Sequence, residues 1–194
     1  ADERESKISR LFTEARTALA HDAENINAYY VLSLVSSHNG DPQAGLRFAQ
    51  RSAQLNDNFA PGYFAYCIAC LYLGHPENGL LAIDRALRLS PSDPQRFVWH
   101  STRASALYLC GRYSDAAESA RQSLWLRPYH TALRVLAASH ARVGNIEEAR
   151  KVMRELLAGE HGDKTIAAVI KPFIRSSDRD RYAEALRIAG MPES

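Results

Sequence analysis

Residues 74–91, GHPENGLLAIDRALRLSP, contain the pattern from which the architecture of this chain follows. A glycine opens the stretch, small residues follow at Gly79 and Ala86, and Pro91 closes it. A glycine followed by the same spacing of small residues recurs at intervals of about 34 residues, at Gly40, Gly74, Gly111 and Gly144. Self-similarity at such a period indicates an array of stacked structural units.

Each part of the pattern has a physical role in a pair of antiparallel helices. Glycine adopts the left-handed backbone conformation that a tight turn between two helices needs. Small residues such as Gly79 and Ala86 let two helix backbones approach closely. Proline cannot continue the helical hydrogen-bond ladder, so Pro91 and Pro128 are expected to end second helices. The pattern therefore predicts an all-α solenoid of helix–turn–helix units.

The pattern resembles the tetratricopeptide repeat (TPR), a helix–turn–helix unit of about 34 residues. The resemblance implies a right-handed superhelical solenoid with four units, at 26–59, 60–93, 97–129 and 130–160. The sequence departs from the family pattern at Asp57, where a closing proline is expected, and at 94–96, an insertion before the third unit. The first-helix position that carries tryptophan in the family here holds Tyr29, Tyr63, His100 and Leu133.

Both flanks predict helices that extend the array. An amphipathic helix is predicted over 5–20, with an apolar side formed by Ile8, Leu11, Phe12, Ala15 and Leu19. Residues 1–25 are therefore expected to form half a repeat, and residues 161–194 to supply capping helices at the other end. In the second flank, Pro172 predicts a helix break, Ser177 an N-cap and Gly190 a C-cap.

The composition narrows the class of protein. The 194 residues are 46% hydrophobic and 24% charged, as in ordinary globular proteins. The net charge of +2 gives no sign of direct binding to nucleic acid or to a membrane surface, and no apolar run is long enough to cross a membrane. Three cysteines form no disulfide framework, which favours a reducing compartment and predicts a cytoplasmic location.

The sequence contains no pattern that points to catalysis, a cofactor or a metal. Cys67 and Cys70 form a Cys-x-x-Cys pair, but both fall mid-helix at packing positions, and zinc would need two further ligands. These two and Cys110 are predicted to be packing residues. No two histidines have a metal-ligand spacing; they lie at His21, His38, His75, His100, His130, His140 and His161. Phosphate-loop, nucleophile-elbow and zinc-protease motifs are absent from the sequence, so the chain is predicted not to be an enzyme.

Two residue types allow both a functional and a structural interpretation. Arginine dominates the basic residues, which raises nucleic-acid binding as an alternative. The arginines are scattered over second helices, however, where a solvated convex face is predicted to include Arg47, Arg51, Arg85, Arg88 and Arg121. Trp99 and Trp125 lie near unit junctions and are predicted to pack there rather than to bind a partner.

In the resembled family, side chains of the first helices line a concave groove that binds protein or peptide segments. The resemblance places on this groove Asn27, Tyr30, His38, Phe64, Tyr72, Ser101, Tyr108, Arg134 and Arg142. The groove is aromatic and neutral in the first units, with arginine only in the fourth. The Lys/Asn clamp with which one subfamily grips a C-terminal carboxylate is absent, because its places hold Tyr30, Leu34, His38, Phe64, Ile68 and Tyr72.

The groove aromatics lead to two alternative expectations. Phe64 and Tyr108 are expected to form the core of a partner interface, because aromatic side chains bury much area at little cost in conformational entropy. The alternative is that the C-terminal segment folds back through Ile170, Phe173 and Ile174 and covers them as ordinary core. Binding is the favoured expectation. The oligomeric state, a homo-oligomer included, stays open.

The third and fourth units and the tail have a narrower resemblance to one bacterial group. It is carried by LSPSDPQRFVWH (89–100), LRPYHTALRVLAASHARVGNIEEAR (126–150) and DRDRYAEALRIAGMPE (178–193). They are similar to the C-terminal TPR regions of adenylate-cyclase-like proteins and of winged-helix regulators. The resemblance implies a non-catalytic interaction scaffold in a larger bacterial signalling protein. The alternative is the signal-receiving domain of a DNA-binding winged-helix regulator. An initial alanine rather than methionine agrees with a processed chain or a piece of a longer one.

Overall fold

The structure, a computed structural model, describes residues 2–160 and 162–194, with side chains from Ser6 onward. Within these ranges the chain forms eleven α-helices and no β-strand, which confirms the all-α prediction. In chain order the helices are α1 (Asp2–His21), α2 (Ile26–His38), α3 (Pro42–Leu55), α4 (Ala60–Leu73), α5 (Pro76–Leu89), α6 (Arg96–Leu109), α7 (Tyr113–Leu126), α8 (His130–Arg142), α9 (Ile146–Ala158), α10 (Ile166–Ile170) and α11 (Ser176–Ala189).

The eight helices from α2 to α9 form four pairs, and each pair packs on the next. The first helices α2, α4, α6 and α8 contact one another in order along the array. The second helices α3, α5 and α7 each contact both their own first helix and that of the following pair. This arrangement is a solenoid in which the first helices share one side and the second helices the other.

Glycine occupies the turn inside each of the four pairs. Gly40, Gly74, Gly111 and Gly144 have φ angles of +90°, +80°, +78° and +82°, all in the left-handed region. A residue with a Cβ is strained in that conformation, whereas glycine adopts it freely. The prediction that all four glycines lie between helices of a pair is confirmed.

Local sequence explains where the second helices begin and end. The Asp41 carboxylate accepts a hydrogen bond from the Ala44 backbone N–H at 2.8 Å and so caps α3, with Pro42 in its first turn. Helices α5 and α7 end two residues before Pro91 and Pro128 respectively, as predicted.

The flanks agree with the prediction in part. Helix α1 packs on α2, but Leu11 on its predicted apolar side is 45% exposed. Helix α10 ends two residues before Pro172, and Gly190 ends α11 with a φ of +97°, as predicted. The N-cap prediction was wrong, because α11 begins one residue before Ser177 and has no side-chain cap.

Buried cysteines and tryptophan fill the space between units. Cys67, Cys70 and Trp99 have 0%, 1% and 1% of their surface exposed. Burial raises the pKa of the Cys67 thiol well above its ordinary value and that of Cys70 to about 11. No group of three or more His, Cys, Asp or Glu suited to a metal ion occurs among the side chains of 6–160 and 162–194; His161 lies outside the described residues.

Thiol reactivity should distinguish these cysteines. At neutral pH, a disulfide reagent is expected to label only Cys110 in the folded protein, because its side chain is half-exposed whereas those of Cys67 and Cys70 are buried. All three thiols should react after denaturation, and Cys110→Ser should abolish labelling of the folded protein. Rapid labelling of the Cys67–Cys70 pair, or stoichiometric zinc lost on replacing it with alanine, would contradict a packing role.

Candidate functional site

The C-terminal segment 171–182, here called the strap, crosses the concave side of the array. The Ile174 backbone N–H donates to the Tyr72 carbonyl at 2.9 Å. The Arg175 guanidinium donates to the Gly74 carbonyl at 2.7 Å, and that of Arg181 donates to the Leu109 carbonyl at 2.7 Å. The acceptors lie at the C-terminal ends of α4 and α6, where carbonyls lack helical partners and the helix dipole favours positive charge.

A buried carboxylate holds the two strap arginines in place. Asp178, in the first turn of α11, is only 4% exposed. Its oxygens lie 3.1 Å from the Arg181 guanidinium and 3.8 Å from that of Arg175. Both cations are therefore paired with one anion while they bind helix ends, which reduces the cost of burying Asp178.

Arg142, a predicted groove residue at the end of α8, binds the strap and α11. Its guanidinium donates to the Arg181 carbonyl at 2.7 Å and lies 2.9 Å from the Glu184 carboxylate. It also donates to the Tyr108 hydroxyl at 3.4 Å. Arg134, on the same helix, is buried and donates to the Asp163 carbonyl at 3.3 Å. Arg134 and Arg142 thus both bind the chain's own C-terminal region.

A row of aromatic rings joins the first helices to the strap. The ring centroids of Tyr72 and Phe173 are 5.4 Å apart, and His38 lies 5.5 Å beyond Tyr72. Phe173 lies 6.1 Å from Tyr182, which is 5.1 Å from Tyr108. Such edge and tilted contacts stabilise aromatic pairs beyond the area that they bury. Phe173 is thus the aromatic anchor of the strap in the groove.

The predicted groove residues fall into three groups in the structure: exposed, half-buried and buried. Asn27 and His38 are exposed, while Tyr30, Tyr72 and Arg142 are half-buried. Four are buried: Phe64, Ser101, Tyr108 and Arg134, with 6%, 0%, 1% and 8% of their surface exposed.

The favoured expectation, free aromatics at Phe64 and Tyr108, was therefore wrong. The strap covers Tyr108, while Phe64 is buried against Trp99, with ring centroids 6.4 Å apart. Of the residues predicted to cover the groove, Ile170 and Phe173 pack against the core, but Ile174 is 54% exposed. The concave side stays accessible mainly over α2, at Asn27, Tyr30 and His38.

The convex side has a groove of about 690 Å³ between α3, α4 and α5. Tyr63 and Tyr66 of α4 line it together with Leu81 of α5, which is 71% exposed. The Arg85 guanidinium lies 4.5 Å from the centre of the Tyr63 ring and donates to the Asp57 carbonyl at 2.9 Å. Arg85 is therefore half-buried, whereas the other four predicted convex arginines are exposed as expected.

A second convex groove of about 430 Å³ lies along α6 and α7, and Trp125 lines it. Trp125 is 86% exposed, so the prediction that it packs at a unit junction was wrong, whereas that for Trp99 is confirmed. The position of Trp125 in the repeat would have predicted its exposure. Trp125 occupies the place in its unit that holds Gln54 and Arg88 in earlier units, both polar and exposed.

No protein-family model matches the sequence, and no curated protein matches it. Several solved structures are similar to the fold of this chain. TTC0263, a thermophilic TPR protein of Thermus thermophilus, has a TM-score of 0.69 at 21% identity, covering 95% of this chain and 94% of its own. PilF of Pseudomonas aeruginosa has a TM-score of 0.68 at 16% sequence identity, and the match covers 94% of this chain and 82% of PilF. YrrB, a TPR protein with an unusual peptide-binding site, has a TM-score of 0.58 at 14% sequence identity, and the match covers 90% of each chain. At these identities the similarity shows the fold, which is a TPR-type solenoid.

Proposed function

We propose that this chain is a non-catalytic protein-interaction module whose concave groove holds an extended peptide segment. One observation carries the proposal: the groove already holds a segment of this chain, the strap, whose residues 173–175 are non-helical and whose residues 176–182 form the first half of α11. The strap binds through an aromatic anchor at Phe173, a backbone hydrogen bond from Ile174 and a guanidinium on a helix-end carbonyl. The first two of these contacts need only an extended chain with an aromatic side chain, which a partner protein can also supply.

The strap and a partner segment would compete for the same surface. A tethered segment has a high local concentration, so it outcompetes a free peptide of equal intrinsic affinity. A partner therefore either displaces the strap or uses the accessible end of the groove at Asn27, Tyr30 and His38. YrrB, with its peptide-binding site, supports peptide recognition by this fold.

The setting of this module is a finer proposal, which rests on the narrower sequence resemblance. The chain is the C-terminal regulatory part of a larger bacterial signalling protein that carries an adenylate-cyclase-like domain. The alternative is a DNA-binding winged-helix regulator in which this chain receives the signal without touching DNA. The three free cysteines support a reducing compartment, the cytoplasm. The coding sequence upstream of Ala1 separates these settings, since it encodes a cyclase domain, a winged helix or neither.

A labelled peptide with the sequence of the strap, KPFIRSSDRDRY, tests the groove directly. We expect it to bind the wild-type chain too weakly to measure, and to bind the Phe173→Ala/Arg175→Ala variant with a Kd of about 10–100 µM. The double substitution loosens the tethered strap, so the groove opens to the free peptide. Fluorescence anisotropy measures both affinities.

The matched controls use residues on the two sides of the array. Adding Tyr72→Ala to the double variant should abolish peptide binding, because Tyr72 contacts the aromatic anchor. Adding Leu81→Ala, on the convex side, should leave the affinity unchanged. If the folded double variant binds no peptide, the groove does not recognise extended segments and the proposal fails.

A further inference from the structure

Trp125 makes the second convex groove unlike the rest of the surface. The indole is 86% exposed on α7, and the adjacent Leu126 is 40% exposed. The other tryptophan, Trp99, is 1% exposed, so exposure is specific to Trp125. Tryptophan and arginine are the residue types that most often dominate binding energy at protein interfaces. Both residue types line this groove, which contains Arg96 and Arg121 beside Trp125.

Two polar atoms of this groove are buried without a partner. They are Arg96 Nε and His100 Nδ1, and neither has a hydrogen-bond partner among the described residues. Arg96 also forms no ion pair within that part of the chain. Buried polar atoms are nearly always satisfied, and leaving one without a partner destabilises the protein. Arg96 Nε is a donor only, so its partner must be a group that accepts a hydrogen bond.

Arg134 and Arg181 also have a buried Nε without a partner, but their other guanidinium nitrogens donate to backbone carbonyls, which no nitrogen of Arg96 does within the described residues. Arg103, also on α6, lies 2.7 Å from the Asp84 carboxylate. Arg121 has only a long ion pair, at 3.6 Å from Glu118, and its Nη2 atom lies 3.4 Å from His140 Nε2. Burial and the charges of Arg96 and Arg103 lower the pKa of His100, which is therefore neutral at neutral pH. Among the described residues, the groove holds one unpaired cation, one weakly paired cation and one carboxylate.

We propose that this groove binds an acidic peptide segment of a partner protein, with a carboxylate on Arg96 and Arg121 and an apolar side chain against Trp125. Guanidinium groups bind carboxylates through paired, charge-assisted hydrogen bonds. The exposed indole and Leu126 supply apolar area beside the charge. A nucleic acid fits less well, because its affinity comes from many phosphate contacts and this groove has only two arginines in its lining. The site is on the opposite side from the concave groove and is independent of it.

Binding of a synthetic probe tests the proposal on the full 194-residue chain. The probe is a short fluorescein-labelled peptide rich in Glu with a central Phe. We expect a Kd of about 10–100 µM, which weakens as salt is added. Trp125→Ala and Arg96→Met are each expected to weaken binding about tenfold or more. In an unlabelled titration the emission of exposed Trp125 should shift to the blue, while that of buried Trp99 should not move.

Matched controls test whether binding is specific to this groove and to carboxylates. Leu81→Ala removes an exposed apolar residue from the other convex groove and should leave the affinity unchanged. The same peptide with Gln in place of Glu should bind at least about tenfold more weakly. Circular dichroism of each variant checks that it is folded.

Four results would overturn the proposal. The first is no binding up to about 1 mM peptide, and the second is equal affinity for the Gln peptide or for Trp125→Ala. The third is tighter binding of a single-stranded oligonucleotide, which would assign the groove to nucleic acid. The fourth is a dimer of the free protein in sedimentation that Trp125→Ala dissociates, which would make a second copy the occupant.

Discussion

Replacing Tyr108 with alanine should lower the free energy of unfolding by about 3–5 kcal/mol, the range for removing a buried aromatic side chain. Tyr108 is 1% exposed and contacts Tyr113 and Tyr182, each at 5.1 Å between ring centroids. Its hydroxyl donates to the Arg181 carbonyl at 3.3 Å. The substitution therefore leaves a cavity and removes a contact between the array and the strap. Urea unfolding followed by circular dichroism measures the loss.

The conservative variant Tyr108→Phe separates the ring from the hydroxyl. It keeps the packing and should cost only about 1 kcal/mol, the usual net contribution of a hydrogen bond. Limited proteolysis should also cleave the strap faster in Tyr108→Ala than in Tyr108→Phe. Wild-type stability in the alanine variant would mean that the strap does not cover Tyr108, and the aromatic groove would then be free for a partner.

Gly45→Ala should lower the free energy of unfolding by about 2 kcal/mol, although alanine is the better helix former. Gly45 is in the first turns of α3, where that helix crosses α2. A Cβ there would overlap the Ser37 hydroxyl oxygen and lie 2.8 Å from the Ser33 carbonyl oxygen. The hydroxyl can rotate away, but the carbonyl belongs to the backbone of α2, so the two helices must move apart. Thermal and urea unfolding detect this change.

The equivalent glycine of the next unit provides the control. A Cβ on Gly79 would lie 3.1 Å from the end of the flexible Leu71 side chain and 3.4 Å from the Cys67 carbonyl. Small shifts accommodate it, so Gly79→Ala should stabilise the protein by up to about 1 kcal/mol through helix propensity. Equal effects of the two substitutions would contradict the close approach of α2 and α3 at Gly45.

The concave groove and the convex groove at Trp125 differ in how much of each could be predicted from the sequence. The register placed Tyr72 and Tyr108 correctly on first helices, but whether such a side chain is free depends on what packs over it. The register also shows that Trp125 takes a place occupied elsewhere by exposed polar residues, yet its apolar character led to a packing prediction. Burial tendencies of residue types are averages, and they fail where the surrounding structure offers no partner.

The repeated pattern of glycine, small residues and proline was sufficient to predict the helix pairs, the four glycine turns and the ends of α5 and α7 before Pro91 and Pro128. Those features depend on contacts between residues close in the chain, and their backbone chemistry recurs with a readable period. The strap has no such period. Arg175 reaches the Gly74 carbonyl and Arg181 the Leu109 carbonyl across gaps of 101 and 72 residues. Those acceptors are backbone atoms that every residue possesses, so only the tertiary structure, by bringing the helix ends beneath the strap, selects which of them it binds.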